Sequence, residues 1–223
     1  CSPAPDAIVH CAGSGSVGFS LEHPLQDYRR KVETLMQALE YARLHAPQAR
    51  ITLLSSGGVY GDAGQEPIVE STPPNPISPY GVHKLVAEQL CRSYARHFSL
   101  RLAIVRLFSV YGPGLRKQLP WDACVKASSG GNGFFGCGEE VRDWLHVRDA
   151  AALIYAATLA ATPECETING AAGAGVTVRD IVSKIFSYLG RRDAPTFTNQ
   201  SRAGDPDRYI ADIGRARKLG WEP

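Results

Sequence analysis

Apolar positions in the first half of the chain follow two alternating rhythms. The short apolar stretches 6–13, 50–55 and 100–108 are predicted as buried strands of a parallel sheet, each running into a glycine or serine turn. Between them lie segments of helical period. Over 24–46, Val32, Leu35, Met36 and Leu39 recur at i, i+3, i+4 and i+7, and Pro47 ends the segment. Over 80–97, Val82, Val86, Leu90 and Tyr94 form one row. The second half mixes shorter elements. A helix is predicted over 120–128, a loop over 130–133, a strand over 134–138, a polar strand from Arg142 and an Ala-rich helix over 147–162. Thr177 caps a helix reaching Leu189, with Asp180 three residues on, and Asp212 caps a last short helix ending at Leu219-Gly220. Strand–helix alternation followed by mixed short elements predicts an α/β fold: a doubly wound parallel sheet, a smaller C-terminal α/β lobe, and a cleft between them.

Composition narrows the class. The chain has 223 residues, 44% hydrophobic and 21% charged, which suits one globular unit with a sizeable core. A net charge of +2 argues against a nucleic-acid or membrane surface, and the longest apolar run, 150–161, is too short to cross a bilayer. The six cysteines are scattered, with no C-x-x-C, so a reduced, cytoplasmic protein without a metal site or disulfide frame is expected.

The chemistry concentrates between Ser56 and Lys84. Tyr80 and Lys84 are spaced i, i+4, on one helical face and one turn apart. An ammonium there would lower the phenol pKa from about 10 towards neutrality, and a phenol so tuned can exchange a proton with a substrate hydroxyl. A serine at the end of the preceding strand, Ser55 or Ser56, could hydrogen-bond the same oxygen. Chance alone supplies about 0.24 such Tyr–Lys pairs in a chain of this composition, so the surrounding motifs must decide.

Those motifs run HCAG (10–13), SSGGVYGD (55–62), SPYGVHK (78–84), RLFSVYGPG (106–114), EVRDWLHVRDAA (140–151), RAGD (202–205) and ADIGRARKLGW (211–221). In this order they resemble the extended short-chain dehydrogenase/reductase family, and within it the NAD-dependent epimerase/dehydratase group acting on nucleotide sugars. The resemblance implies a Rossmann sheet whose first strands and glycine-rich fingerprint would precede residue 1, so the chain reads as N-terminally truncated. It implies a partial NAD(P)-binding domain over 1–108, joined by helix 147–162, and a nucleotide-sugar-binding lobe over 109–223. The stretch 13–18 has glycines at related spacing but follows the wrong strand, and is expected to be an active-site loop.

The resemblance assigns Ser56, Tyr80 and Lys84 to catalysis. It places His10, Ala12, Gly13, Ser55, Tyr80, Lys84, Phe108 and Val110 beside the cofactor, which is NAD with NADP left open. Ser109, Arg142 and Arg202 would hold the substrate diphosphate, a guanidinium fork matching phosphate oxygens. His146 with Asp149 suggests a relay, but packing is the expected role. Two positions depart from the family: Lys31 and Ser109 stand where Asn is usual. A homodimer through helices 24–46 and 80–97 is implied, although both apolar stripes could equally cover the sheet.

The implied reaction is epimerisation of a nucleoside-diphosphate sugar at C4, through hydride abstraction to a 4-keto intermediate. A 4-ketoreductase is the alternative, and a non-catalytic dinucleotide-binding regulator the alternative from another class. Dehydration would require an Asp-Glu pair after the serine, where this chain has Gly57 and Gly58.

Overall fold

The computed structural model describes residues 3–13, 15–64, 67–200 and 207–223. Its main sheet is parallel, with strands β1 (Ala7–His10), β2 (Arg50–Ser56), β3 (Arg101–Leu107) and β7 (Glu166–Gly170) in the order β1-β2-β3-β7. Period-2 alternation along β3 decides its packing. Leu102 and Ile104 face one side, against the helices α3 (Thr34–His45) and α4 (Pro79–Phe98). Ala103 and Val105 face the other, against α6 (Val147–Leu159) through Leu153 and Ala157. Thr52, fully buried on β2, shares a 2.7 Å hydrogen bond with Thr158 of α6, so the polar group on that face is satisfied.

The predicted helix 24–46 is three pieces. Helix α2 (Pro24–Tyr28) passes into a π-helical turn, Arg29–Glu33, before α3 begins. Its apolar stripe lies against the sheet: Val32, Leu35 and Leu39 are all buried. Ahead of it, Ser16 caps a short helix α1 (Val17–Glu22), accepting from the Phe19 amide at 3.2 Å, where a loop was expected over 13–18. Strand β1 was expected to be buried. It is instead the edge of the sheet among the described residues, with Val9 41% exposed.

The smaller lobe is built on β6 (Val141–His146). It pairs in parallel with β4 (Ser109–Tyr111) and β10 (Arg208–Tyr209), and antiparallel with β8 (Gly175–Thr177). Helices α5 (Gln118–Ser129) and α7 (Val178–Tyr188) pack around Phe134 and Phe186, beside the two-residue strands β5 (Gly133–Phe134) and β9 (Thr196–Phe197). The strand expected over 134–138 reduces to β5. Thr177 caps α7 as expected, accepting from the Asp180 amide at 3.0 Å. Asp212 accepts from the Gly214 amide at 2.8 Å at the head of α8 (Gly214–Lys218).

No helix among the described residues is long and apolar enough to cross a membrane. Cys11, Cys91, Cys124, Cys137 and Cys165 are free thiols.

Candidate active site

The C-terminal ends of the parallel strands open on two joined cavities, the usual place for ligands in such sheets. The larger, about 730 Å³, lies between sheet and lobe and is lined by Ser56, Gly57, Tyr80, Ser109, Arg142 and Trp144, among others. The smaller, about 200 Å³, is lined by Cys11, Ala12, Gly13, Ser55, Lys84 and Val110. Gly15, Ser56, Tyr80, Leu107, Phe108 and Gln118 line both, and so form the junction between them.

Local structure explains how Tyr80 reaches that junction. Ser78 caps α4, accepting from the Gly81 amide at 3.2 Å, and Pro79 occupies the first turn, where its missing N–H costs nothing. The Tyr80 amide is bound at 3.0 Å by Ser20, a fully buried hydroxyl on α1. Across the junction, Ser56 accepts from the Gly58 amide at 3.1 Å, and its hydroxyl favours the charged form of the Tyr80 phenol. A Cβ on Gly58 would lie 3.4 Å from both Ser56 Oγ and the Tyr80 ring, in ordinary contact with each. A Cβ on Gly57 would meet Tyr209 at 2.9 Å and Phe108 at 3.2 Å, leaving no room for a side chain.

Lys84 sits one turn beyond Tyr80, 9% exposed, and donates to the Leu54 carbonyl at 2.6 Å. Burial and then the like charge of Lys31 bring its pKa down to about 8. The expectation for Tyr80 is corrected in direction. Burial raises its pKa above the ordinary phenol value, Asp27 adds to the rise, and the Ser56 hydroxyl only partly offsets it. The ammonium of Lys84 is engaged with the backbone of β2, not with the phenol.

Other expected site residues separate in space. The Ser55 hydroxyl turns away from the groove and donates to Glu88 Oε1 at 2.6 Å, inside a buried network. Glu88 receives two bonds from Arg106, at 2.9 and 2.7 Å, and one from Arg92 at 3.1 Å. His10 lies behind the groove: Nε2 meets Thr34 at 3.3 Å, Nδ1 has no partner, and burial followed by Lys84 lowers its pKa. His146 caps α6, accepting from the Arg148 amide at 3.3 Å, and stacks edge-on against Tyr111. Arg142 faces the large cavity and anchors on the carbonyls of Val141 and Asp207 at 2.9 and 3.3 Å. Arg202 lies outside the described residues.

Sequence reasoning passed over three side chains. Tyr209 donates its phenol to the Gly57 carbonyl, bracing the loop that carries Ser56. Gln118, at φ +68°, stands at the junction of the cavities. Asp27, fully buried, binds both Lys31 and His83. The i, i+4 spacing of Asp27 and Lys31 was the available signal for the last.

A doubly wound parallel sheet with Ser56, Tyr80 and Lys84 at its C-terminal edge, facing a separate α/β lobe, is the architecture of the extended short-chain dehydrogenases/reductases. Residues 2–169 match the NAD dependent epimerase/dehydratase family, and the chain belongs to it. It is 31% identical over 217 residues to a Bacillus subtilis protein described as the uncharacterized UDP-glucose epimerase YtcB, covering 96% of this chain and 68% of that one. Its fold matches Thermotoga maritima UDP-glucose 4-epimerase with UDP-glucose at a TM-score of 0.89 and 28% identity, over 98% of this chain and 72% of the other. MoeE5 in complex with UDP-glucuronic acid and NAD matches at 0.89 and 27%, over 97% and 73%.

Proposed function

We propose that the chain carries the catalytic half-site of an NAD-dependent 4-epimerase of nucleoside-diphosphate sugars, with Tyr80 as acid–base, Ser56 as its hydrogen-bonding partner and Lys84 holding the nicotinamide ribose. The observation that carries this reading is the junction: Tyr80 and Ser56 line both a wide cleft and a narrow groove. The groove, about 200 Å³ and below the size of a drug-like pocket, suits the nicotinamide end of a dinucleotide. Lys84, with one of its three donors on the Leu54 carbonyl, has donors left for ribose hydroxyls. When bound, the nicotinamide supplies the acceptor and later the donor of the hydride.

The protein's own part is proton management and orientation. Tyr80, in its phenolate form, takes the proton from O4 as the C4–H bond breaks, which leaves a ketone at C4. The cleft, about 730 Å³, gives the sugar room to present its other face. Tyr80 then returns the proton to O4 as C–H bond formation inverts the carbon, with no net redox change. Arg142 and Ser109, on neighbouring strands β6 and β4, hold the diphosphate, and Arg202 belongs with them by its motif. Gly57 and Gly58 offer no acid for water elimination, and the contacts at Gly57 bar one. The exposed apolar residues Leu25, Tyr28, Leu44 and Val82 on the helix pair support a homodimer.

The test uses protein purified at its full natural length. Denaturation and mass spectrometry should release bound NAD, and UDP-glucose and UDP-galactose should interconvert without added cofactor. Tyr80→Phe should fold normally and lose at least about a hundredfold in kcat, the low end for a general acid–base. Consumption of added NAD(P)H against a 4-keto sugar, from an empty site, would make the protein a ketoreductase instead.

A further inference from the structure

The π-helical turn Arg29–Glu33 carries Lys31, whose ammonium lies under the Tyr80 ring, and such turns recur at functional positions. Lys31 is 2% exposed, a rare burial for lysine. Its ammonium pairs with Asp27, itself 0% exposed, whose other oxygen binds His83 Nδ1 at 2.7 Å. The same ammonium lies 4.3 Å from the centroid of the Tyr80 ring, on the ring face, where a desolvated cation is attracted to the π system. Room for the lysine stem comes from Gly13: a Cβ there would stand 2.8 Å from Lys31 Cγ.

We propose that Lys31, held by Asp27, which His83 anchors, is a positioning residue of the active site, packing under the Tyr80 ring and placing a second buried positive charge near Lys84. The functional weight of this cluster rests on the assignment of Tyr80 and Lys84 made above. Lys84 is faced by Tyr80 and Glu88 from its own helix, by Asp27 from α2 and Lys31 from the π-helical turn, by His10 from β1 and by Cys11 just after it. Among the charged neighbours, Lys31 acts most strongly, and it opposes the protonated form of Lys84. Removing its charge therefore widens the pH range over which Lys84 stays an ammonium.

The experiment is pulsed acylation of the folded protein with acetic anhydride across pH 6–11, with Lys84 modification quantified by peptide mass spectrometry. Only the neutral amine reacts, so the profile reports Lys84 without needing turnover. In the native protein half-reaction is expected near pH 8. Lys31→Met should move it up by about one unit, and Lys31→Arg should leave it in place. Because Lys31→Met strands the Asp27 carboxylate, the paired variant Asp27→Asn/Lys31→Met is the folding-safe arm. It should show a smaller upward shift, since the Lys31 repulsion exceeds the Asp27 attraction. A Lys31→Met profile that superimposes on the native one, or a paired variant with no shift when the single variant does not fold, overturns the proposal. Turnover by Tyr80→Phe separates the two readings. Normal turnover there sinks the functional assignment and leaves the acylation result standing. An inactive Tyr80→Phe with an unshifted Lys84 sinks this inference alone.

Discussion

Replacing Lys84 by methionine should make the protein more stable while abolishing its activity. Lys84 is 9% exposed and carries a pKa of about 8, against 10.5 for a free lysine. Burial is the first cause and the Lys31 ammonium the second, outweighing Asp27 and Glu88. Below pH 8 both folded and unfolded chains bind the proton, so the folded state bears the whole cost of the buried charge. Between about 8 and 10.5 only the unfolded chain holds it, and stability rises with pH; above 10.5 the dependence vanishes. The shift of about 2.5 units corresponds to about 3 kcal/mol at neutral pH. Methionine has nearly the same length and fills the same space without the charge. It leaves the Leu54 carbonyl without its donor, which returns about 1–2 kcal/mol of the gain. The net expectation is about 1–2 kcal/mol of added stability at pH 7. Urea unfolding of both proteins at pH 7 and pH 10.5 measures it. A variant less stable than the native protein at pH 7, or an advantage that does not shrink at pH 10.5, would refute the reasoning.

Two further substitutions probe how the site is held. Glu88→Ala leaves Arg106, 2% exposed, as an uncompensated buried charge and should cost about 3–5 kcal/mol in urea unfolding. Adding Arg106→Met should recover most of it. Burial pushes the Glu88 pKa up but Arg106 holds it below the ordinary carboxylate value, so this stabilisation is lost as pH falls through the acid range. Gly81→Ala would raise helix propensity by about 1 kcal/mol in an open helix. Here its Cβ would stand 2.5 Å from the Gly58 carbonyl oxygen and 2.8 Å from Pro76. The melt should show a net loss of about 1–3 kcal/mol, and turnover should fall as α4 withdraws Tyr80 from Ser56.

Local pattern alone located β2, β3, α4 and the extent, though not the π-helical turn, of the first long helical segment, because strand and helix periods are written in neighbouring residues and their proline and serine stops. It also picked out Tyr80 and Lys84, whose i, i+4 spacing is a property of one helix, and the Thr177 cap, whose bond spans three residues. At the last helix Ile213 is the N-cap, and Asp212 stands one residue ahead of it. Strand β7 escaped notice. Glu166–Gly170 has little apolar periodicity, and it becomes a strand by pairing with β3 some sixty residues away, Ile104 opposite Thr167. The two- and three-residue strands of the lobe are similarly defined by their partners. The apolar stripe of the first helix left open whether it met the sheet or a second copy; packing of Leu35 and Leu39 against Ile51 and Leu53 assigned it to the sheet.

The site divides along the same line. Which residue types are present could be read in order along the chain. Which way Ser55 turns, what Lys84 touches and in which direction Tyr80 titrates could not. Each depends on partners supplied by other elements: Glu88 for Ser55, the Leu54 carbonyl for Lys84, burial and Asp27 for Tyr80. A pKa is a balance of desolvation and charge summed over everything packed nearby. The Asp27–Lys31–His83 cluster makes the point most plainly, since His83 reaches Asp27 across 56 residues of sequence to complete it.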